Sequence, residues 1–497
     1  MTQRHRLPLM LKLAYGLGSV PFGVKDAGLK FFLLLYYNQV LGLSASWVGA
    51  ASAIALVVDA MLDPILGQWS DTLHSRWGRR HPFMYLSAVP IALCYGLLWD
   101  PPAGLSQNQM ALYLLGMVVL VRALISFYEV PSSALMAELT DDYDERTAVV
   151  GWRLLFGWAG GLGMVVLALI AFLRPDDGQS VGQLVAAGYV KYGWASGIIM
   201  LVTSLISSLA THRRIPLLKA PPPPRHDFSL WRNLQEIWQS LRQPSLRILL
   251  AVILFANLAG GLNSTLGFYY TTYFWLLGPQ QALLIVFGLF VGTILALPMS
   301  AMLSKRWDKK PATKALAILA LIIGPLPQLL RLVDWFPANG EPALLFWLFL
   351  HAAIGNALTI AAGILLIAMI TDTVEDGQLA TGRRSEGLFF AASSLVTKCA
   401  TGLGLLMSGA LIDLIGFPPQ AQPGTIDPSI LRNLVLAYTP LTTMLFLVML
   451  GFLSAYRIDR AAHEANLKRL AAGDVPPPVP AEQPPWVAGG AEAIDPY

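Results

Sequence analysis

Long apolar runs recur along the whole chain, and they restrict its possible folds more than any other feature of the sequence. About twelve runs approach or exceed the ~20 residues that an α-helix needs to cross the hydrocarbon core of a bilayer. Their approximate bounds are 9–42, 46–72, 82–99, 108–138, 146–173, 189–211, 246–276, 280–304, 312–332, 342–371, 386–414 and 430–456. Hydrophobic residues occupy 55% of the 497 positions and charged residues only 13%, too few to cover a soluble surface. The sequence therefore predicts an all-α membrane protein, and the continuity of the runs excludes a transmembrane barrel.

Basic residues are concentrated in the loops that follow the even-numbered runs. These loops contain Arg76, Arg79, Arg80, Lys305, Arg306, Arg383 and Arg384. The loops after odd-numbered runs, such as LGLSAS, DPPAGLSQN and GPQQ, are nearly free of lysine and arginine. By the positive-inside rule, both termini are expected in the cytoplasm. The first run lacks a signal-peptide cleavage site, so we expect an integral protein of the plasma membrane, which in a bacterium is the inner membrane.

The two halves of the chain echo each other. GQWSDTLHSRWGRR follows the second run and MLSKRWDKKPATK follows the eighth, while ELTDDYDERT and ITDTVEDGQLATGRRSEG follow the fourth and tenth. A repeated unit of six helices is the internal symmetry of many secondary transporters. We therefore predict six-helix bundles over residues 1–211 and 246–456, joined by a cytoplasmic loop over 212–245.

The loop and the tail differ in composition from the runs. Residues 228–243 carry apolar side chains at helical spacing, which predicts an amphipathic helix on the membrane face, with a simple tether as the more conservative interpretation. The tail over 457–497 is expected to be largely disordered because its end is rich in Pro, Ala and Gly. Cys94 and Cys399 lie in different runs and are interpreted as packing residues.

Several charged residues stand inside the runs, where each costs at least ~2.5–3.5 kcal/mol on insertion scales. They are Lys25, Asp26, Asp59, Asp63, Arg122, Glu129, Arg153 and Lys398. Four are acidic and four are basic. This balance predicts that they pair around a common polar cavity instead of facing lipid.

Asp59 and Asp63 are spaced i, i+4, so both carboxylates project from one face of the second helix. Two like charges this close require a cation or a shared proton. Ser126 and Glu129, spaced i, i+3 on the fourth helix, could add oxygen ligands for a small hard cation. The alternative is a static ion-pair network of these carboxylates with Arg122 and Lys398.

Arg153 and Asp26 differ in kind from the paired aspartates. A guanidinium and a carboxylate can hold vicinal hydroxyl groups by bidentate hydrogen bonds. Aromatic faces of Tyr128, Tyr269, Tyr270 or Tyr273 could stack on a sugar ring. Ordinary interface packing is the alternative for each tyrosine.

Four stretches give the chain a specific resemblance to a known family. They are DAMLDPILGQWSD with RWGRRHP at 59–82, YEVPSSALMAELTDDYDERT with WR at 128–153, FYYTTYFWLLG at 268–278 and TGRRSEGLFFAASSLVTK at 381–398. The chain thereby resembles the glycoside–pentoside–hexuronide:cation symporters of the major facilitator superfamily, the group of melibiose permease. The resemblance covers nearly all of residues 9–456 and implies that superfamily's fold of two pseudo-symmetric six-helix bundles.

The resemblance also implies roles for particular residues. Asp59 and Asp63 match the aspartates that bind sodium, and Glu129 matches an acidic residue shared between cation and sugar. Asp26, beside Lys25, and Arg153 match the sugar-holding pair, while Lys398 matches the lysine of the eleventh helix, with Ser394 one turn earlier. Lysolipid carriers of the same branch share the two aspartates and the lysine.

The chain departs from the family pattern at three positions. Leu62 replaces an asparagine beside the second aspartate, Glu129 replaces an aspartate, and Ser133 stands where a tryptophan is expected. These departures bear on sodium use and on sugar specificity, and not on the transporter class.

We therefore predict a cation-coupled importer of a glycoside, sugar or sugar acid that acts as a monomer among membrane lipids. We expect sodium as the coupling ion, with the proton as the alternative, and neither an organic cofactor nor a nucleic-acid partner. The alternatives are a lysolipid carrier of the same fold and a transporter-like sensor. An intramembrane aspartyl hydrolase is disfavoured because two aspartates on one helix face cannot flank a substrate from opposite sides.

The charged loops predict a cytoplasmic gate. Arg76, Arg79 and Arg80 are expected to pair with Asp141, Asp142 and Glu145 when the carrier faces outward. Arg383 and Arg384, in the stretch after the tenth run that echoes ELTDDYDERT, are assigned to the same gate. Each such rim pair should contribute only ~0.2–1 kcal/mol, but several together could set the balance between conformations.

Overall fold

A computed structural model describes residues 7–140, 142–175, 181–217, 243–381 and 386–472. The helices of the first half are α1 (Leu9–Leu17), α2 (Val20–Phe31), α3 (Ala45–Thr72), α4 (His81–Leu98), α5 (Gln107–Leu139), α6 (Tyr143–Leu167) and α7 (Ala186–His212). Those of the second half are α8 (Pro244–Tyr269), α9 (Pro279–Trp307), α10 (Lys309–Ile323), α11 (Leu326–Leu332), α12 (Pro342–Thr381), α13 (Glu386–Leu414), α14 (Pro428–Ala455) and α15 (Arg460–Ala471). Turns of π-helix at Leu35–Val40, Ala168–Phe172 and Tyr270–Phe274 follow α2, α6 and α8.

Eleven helices in the described ranges are long and apolar enough to cross a membrane. They correspond to the second to twelfth apolar runs, which confirms the prediction of an all-α integral membrane protein. The first run is not among them, because α1 ends at Leu17 and α2 begins at Val20; the span of the ninth run, Lys309–Leu332, consists of α10 and α11. The single helix expected over the first run is therefore a broken one.

A close approach between helices explains a glycine at this break. A Cβ atom on Gly18 would lie 2.5 Å from the Ser207 Oγ atom and 2.7 Å from the Tyr128 Oη atom. Pro21 stands in the first turn of α2, where its missing N–H costs no intrahelical bond. The break thus sets α2, which carries Lys25 and Asp26, as a separate short helix.

Helices α1–α7 pack mainly on one another, and so do α8–α14; the two sets meet where α3 crosses α13. Three glycines line this crossing and bring the backbones together. A Cβ atom on Gly49 would lie 2.8 Å from the Leu405 carbonyl oxygen, and one on Gly402 would lie 3.1 Å from the Ala53 Cα atom. A Cβ atom on Gly409 would lie 2.2 Å from the Ala45 carbonyl oxygen. We call this glycine-lined contact of α3 with α13 the seam.

We use "terminal side" for the face where α1 begins and α14 ends, and "distal side" for the opposite face. Polar side chains that follow α2 tie the two helix sets together on the distal side. Tyr269 donates a hydrogen bond to the Asn38 Oδ1 atom at 2.7 Å, and Tyr273 donates to the Gln39 Oε1 atom at 2.9 Å. The distal side is therefore closed in this structure.

Asp413 adds a second tie on the distal side. Its carboxylate, at the end of α13, accepts hydrogen bonds from the Ser44 hydroxyl at 2.7 Å and from the Ser46 and Ala45 amides at 2.8 and 3.2 Å. These amides belong to the first turn of α3, where helical N–H groups have no partner within the helix. A carboxylate from one helix set thus caps a helix of the other.

The central loop and the tail, both on the terminal side, are described only in part. The amphipathic helix over 228–243 lies outside the described residues except at position 243, and so do the prolines at 221–224. Within the tail, Arg460–Ala471 forms α15, whereas residues 473–497 lie outside the described residues, so the prediction for them stays a prediction. Asp459 caps this helix by accepting a hydrogen bond from the Ala462 amide at 2.8 Å.

Candidate functional site

The paired aspartates of α3 meet a serine of α5. The Ser126 hydroxyl lies 2.6 Å from the Asp59 Oδ1 atom and 2.9 Å from the Asp63 Oδ1 atom. Because one hydroxyl has a single proton, it donates to only one of them at a time. Asp59 and Ser126 are buried, whereas the Asp63 side chain is about one-third exposed, at 32%. The structure thus brings together three of the four predicted cation ligands.

Lys398 from α13 binds both carboxylates from the other helix set. Its Nζ atom lies 2.9 Å from Asp59 Oδ2 and 2.5 Å from Asp63 Oδ2. Arg122, buried in α5, is more distant, with 3.9 Å between its nearest nitrogen and Asp59 Oδ2. The ammonium therefore offsets one of the two negative charges and Arg122 lies near the other, as the ion-pair interpretation expected. We call Asp59, Asp63, Ser126 and Lys398 the aspartate cluster.

The fourth predicted cation ligand, Glu129, binds elsewhere. The Arg153 guanidinium donates to Glu129 Oε1 at 2.5 Å and to the Ser132 hydroxyl at 2.9 Å. This corrects the expectation that Glu129 joins the aspartates, because the guanidinium of α6 holds its carboxylate. The other oxygen of Glu129 is buried and has no hydrogen-bond partner among the described residues. It is an acceptor available to a ligand.

Arg153 rests on an aromatic ring that the sequence did not single out. Its guanidinium carbon lies 5.1 Å from the centroid of the Tyr15 ring, a cation–π distance. The Tyr15 hydroxyl donates to the Ser132 carbonyl oxygen at 2.5 Å. Tyr15, from α1, therefore orients the guanidinium toward Glu129.

Asp26 does not contact Arg153 in this structure. Its carboxylate pairs with Lys30, one turn later on α2, at 2.8 Å, and both side chains are about one-third exposed. The sequence analysis missed Lys30, although its i, i+4 spacing from Asp26 was a signal. Partly exposed charges in the middle of a span indicate a water-accessible cavity.

The predicted aromatic lining is not found in this structure. Tyr128, Tyr269 and Tyr273 are fully buried, and Tyr270 is 5% exposed. The hydroxyls of Tyr269 and Tyr273 are used in the distal ties. These rings therefore pack at interfaces and offer no face to a ligand here. Ser394, in contrast, is exposed one turn before Lys398.

The terminal-side arginines pair within the first helix set in this structure, while their predicted pairing with Asp141, Asp142 and Glu145 belongs to the outward-facing state and stays a prediction. Arg79 donates to Glu138 Oε1 at 2.7 Å, and the same oxygen accepts from Arg80 Nε at 3.0 Å. Arg80 also pairs with Asp71 at 2.5 Å. Glu138 is closer along α5 than the predicted acidic residues and reaches both arginines. Arg76 is exposed beside Trp77, at 5.8 Å from its ring.

Of the predicted acidic gate residues, Glu145 is bound to α1. Lys12 Nζ lies 2.7 Å from Glu145 Oε2, and the Leu7 amide donates to the same oxygen at 3.1 Å. Its predicted pairing with arginine concerns the outward-facing state and stays a prediction. Asp142 accepts a hydrogen bond from the Glu145 amide at 3.1 Å. Asp141, Arg383 and Arg384 lie outside the described residues.

This Lys12–Glu145 pair should make stability depend on pH. The hydrogen bond from Lys12 lowers the pKa of Glu145, so its contribution is complete above the ordinary glutamate value of about 4.3 and is lost as pH falls below it. At pH 7 we expect Glu145→Gln to lower the thermal unfolding midpoint by about 1 °C. The difference from wild type should shrink as the pH falls through the lowered pKa of Glu145. Lys12→Gln should have the same effect without adding to it, and additive losses would contradict the pairing.

The second half carries an ion pair at the corresponding place. Lys309, at the start of α10, donates to both carboxylate oxygens of Asp372 at 2.7 Å. Arg79 and Glu138 join the start of α4 to the end of α5 in the same way. The echoes between the halves of the sequence thus include equivalent terminal-side ion pairs.

Comparison with protein families places nearly the whole chain in one group. Residues 14–460 match the model of the MFS/sugar transport proteins. The xylose transporter XylE of Escherichia coli, solved in an inward-open conformation, superposes with a TM-score of 0.61 at 13% identity, over 92% of this chain and 98% of that one. The predicted major facilitator fold is thereby confirmed.

Two curated relatives are similar over most of their length. The inner membrane symporter YicJ of Escherichia coli K12 is 26% identical, over 81% of each chain. The sodium-dependent lysophosphatidylcholine symporter 1 of Gallus gallus is 25% identical, over 94% of this chain and 90% of the relative.

Proposed function

Since the chain belongs to the MFS/sugar transport protein family, in its glycoside–pentoside–hexuronide branch, and is a transporter and not an enzyme, we propose that it is a cation-coupled symporter that imports a glycoside, sugar or sugar acid. Sodium is the proposed coupling ion. The aspartate cluster is the observation that carries the proposal, because its carboxylates and its lysine come from opposite helix sets.

The cluster can exchange one cation for another. Asp59, Asp63 and Ser126 present oxygens to a common point, which suits a small hard cation. In this structure the Lys398 ammonium satisfies the same carboxylates. A sodium ion entering through partly exposed Asp63 would take its place, so that the lysine and the ion compete for one pair of charges.

This competition would link ion binding to movement. The Lys398 ion pair holds α13 against α3, so its release weakens one contact between the helix sets. A ligand shifts a conformational equilibrium only by its differential affinity for the two states. Sodium, by replacing an inter-set ion pair, acquires such a differential affinity.

The sugar half of the proposed site lies around Arg153. The guanidinium is fixed by Glu129 and by the Tyr15 ring, and the free Glu129 oxygen is available as an acceptor. Asp26 on α2 supplies a second carboxylate. Hydroxyl groups of a sugar are donors and acceptors at once, and such a set of fixed charges can hold them.

Alternating access requires two end states, and under this proposal the structure would belong to the one that is closed on the distal side. Its distal side is closed by Asp413 and by the Tyr269 and Tyr273 ties. If the termini are cytoplasmic, as the positive-inside rule predicts, the distal side is extracytoplasmic. In the other state these distal ties must separate.

The direct test is uptake of labelled glycosides by proteoliposomes with a sodium gradient. Replacing sodium by choline at fixed pH should reduce uptake to about the level of protein-free liposomes. A protonophore should have little effect while the sodium gradient is maintained. Uptake that persists in choline and collapses with the protonophore would identify the proton as the coupling ion, consistent with the missing amide at Leu62.

A lysolipid carrier is the second candidate, and the lysophosphatidylcholine symporter among the relatives favours it. Both candidates use the aspartate cluster, so sodium dependence does not separate them. The substrate does. Sodium-dependent counterflow of a labelled lysophospholipid without counterflow of any glycoside would replace the first proposal with this one.

A further inference from the structure

An open groove lies on the second helix set between the end of α11 and the start of α14. Its volume is about 560 Å³, within the range of roughly 300–1,000 Å³ that is typical of small-molecule sites. The lining residues are Leu329, Leu330, Leu332, Val333, Trp335, Arg432 and Leu436. None of them belongs to the aspartate cluster or contacts Arg153. The groove is therefore separate from the proposed transport site.

The end of α11 places a tryptophan at the edge of this groove. The Trp335 amide donates to the Leu330 carbonyl oxygen at 2.9 Å, and the Asp334 amide donates one residue further along, to the Arg331 carbonyl oxygen at 3.3 Å. These two bonds form a Schellman motif, which ends a helix with a sharp turn. Asp334 takes the left-handed position with φ of 57°, which aspartate accepts more readily than most residues. Trp335 follows directly after the turn and is 82% exposed.

The groove lies at the depth of the lipid headgroups on the distal side. Helices α10 and α11 form one span that ends at Leu332, and the span of α14 begins at Pro428. An exposed tryptophan at the end of a span is typical of the membrane–water interface. The groove residues Leu329 and Leu436 are also exposed. In a bilayer, these apolar side chains face lipid tails and not water.

Arg432 is the only charged residue among the described residues that line the groove. Its exposed guanidinium has no hydrogen bond or ion pair with another described residue. It stands four residues before Leu436, so both project from one face of α14, with the arginine nearer the distal end. A guanidinium matches the geometry of a phosphate group and can bind it by two parallel hydrogen bonds. The groove thus combines an apolar channel with a phosphate-binding group at its headgroup end.

We propose that this groove binds a phospholipid of the distal leaflet, with one acyl chain along the leucines and the phosphate on Arg432. No carboxylate of the described residues lines the groove to pair with a headgroup amine. An anionic lipid such as phosphatidylglycerol therefore fits better than a zwitterionic one. The bound lipid joins α11 to α14 and is a resident of the second helix set, distinct from the transported compound.

A photoreactive phosphatidylglycerol with a diazirine in one acyl chain locates the lipid on the purified full-length protein. The protein is mixed in detergent with a small molar excess of the probe, irradiated and digested, and the labelled peptides are identified by mass spectrometry. Labelling should be strongest in residues 326–336 and 428–440, and excess unlabelled phosphatidylglycerol should suppress it. Uniform labelling of all spans, or labelling that the competitor does not suppress, would overturn the site.

Arginine variants test the phosphate contact by native mass spectrometry with dioleoyl phosphatidylglycerol. Arg432→Gln should weaken binding at least about tenfold, because a hydrogen-bonded charge pair is lost. Arg174→Gln, a matched change of an exposed arginine on the distal side, should leave binding unchanged. Dioleoylglycerol, which lacks the phosphate, should bind equally to wild type and Arg432→Gln. Equal affinity of phosphatidylglycerol for wild type and Arg432→Gln would remove the arginine from the site.

A groove-filling variant tests the acyl-chain contact separately. Leu436→Trp leaves Arg432 in place but occupies the channel, so it should also weaken binding of phosphatidylglycerol. Leu447→Trp, at an exposed leucine of α14 outside the groove, should not. Unchanged binding by Leu436→Trp would show that the chain lies elsewhere. Phosphatidylcholine bound by wild type as tightly as phosphatidylglycerol would refute the preference for an anionic lipid, and this comparison needs no variant to fold.

Discussion

Asp59→Cys should abolish uphill accumulation of substrate while leaving downhill exchange measurable. Asp59 contacts both Ser126 and Lys398 and is the buried member of the aspartate pair. Without its carboxylate, the site loses the charge that holds the coupling cation, so the gradient no longer drives the substrate. The accumulation ratio in proteoliposomes with an inward sodium gradient should fall to about one, the value at which no work is done on the substrate.

Counterflow separates coupling from folding in this experiment. Asp59→Cys protein loaded with unlabelled substrate should still exchange it for labelled substrate, because the sugar side around Arg153 is intact. Asp100→Cys is a matched control at an exposed aspartate on the distal side and should accumulate substrate as the wild type does. Undiminished sodium-driven accumulation by Asp59→Cys would remove the aspartate cluster from the coupling mechanism.

Lys398→Gln should make the stability of the protein strongly dependent on sodium. The substitution leaves Asp59 and Asp63 as close like charges without an internal cation. Breaking such a partly buried pair costs on the order of 3 kcal/mol. Sodium can then stabilise the carboxylates without displacing an ammonium, and at 100 times its Kd it would return about 2.7 kcal/mol.

The measurement is the thermal unfolding midpoint in sodium chloride and in choline chloride at equal ionic strength. The midpoint of wild type should rise slightly with sodium, and that of Lys398→Gln should rise several times more. Lys191→Gln, which removes an exposed lysine, should match wild type. Transport by Lys398→Gln should fall at least about tenfold. If sodium raises the midpoint of wild type and Lys398→Gln equally, the ion and the lysine do not compete.

Much of the fold was predictable because the membrane imposes length and polarity on each span. The runs gave eleven of the twelve helices with bounds close to those observed. The break between α1 and α2 was not foreseen, since it depends on the contact of Gly18 with Ser207 and Tyr128, which are distant in sequence. Periodicity along a chain carries no information about such contacts.

The site was predictable where partners share a helix and less so where they do not. The i, i+4 spacing of Asp59 and Asp63 placed both carboxylates at one point, and charge balance identified Lys398 as a possible partner. The partner of Glu129 was not predictable, because choosing among several cations requires the register of α5 against α6. Lys30 was overlooked although it shares a helix with Asp26, and a complete count of charges along the first run would have found it.

The tyrosines show a different limit of sequence reasoning. An aromatic residue at an interface and one that lines a ligand site obey the same rules of composition and spacing. Only the hydroxyl partners of Tyr269 and Tyr273, the amide side chains of Asn38 and Gln39, distinguish the two cases. Those partners belong to the other half of the molecule.

The seam between α3 and α13 allows the two helix sets to move against each other with little steric resistance. Because Gly49, Gly402 and Gly409 have no side chain, the backbones of α3 and α13 can shift past each other. No long side chain has to move from one groove to another as the helix sets change their relative tilt. The energy barrier to movement between the helix sets is thereby kept low. The ionic and hydrogen-bonded contacts of Lys398 and Asp413 then determine which arrangement of the helix sets is stable. The carrier can thus separate the ease of its movement from the choice of its resting position.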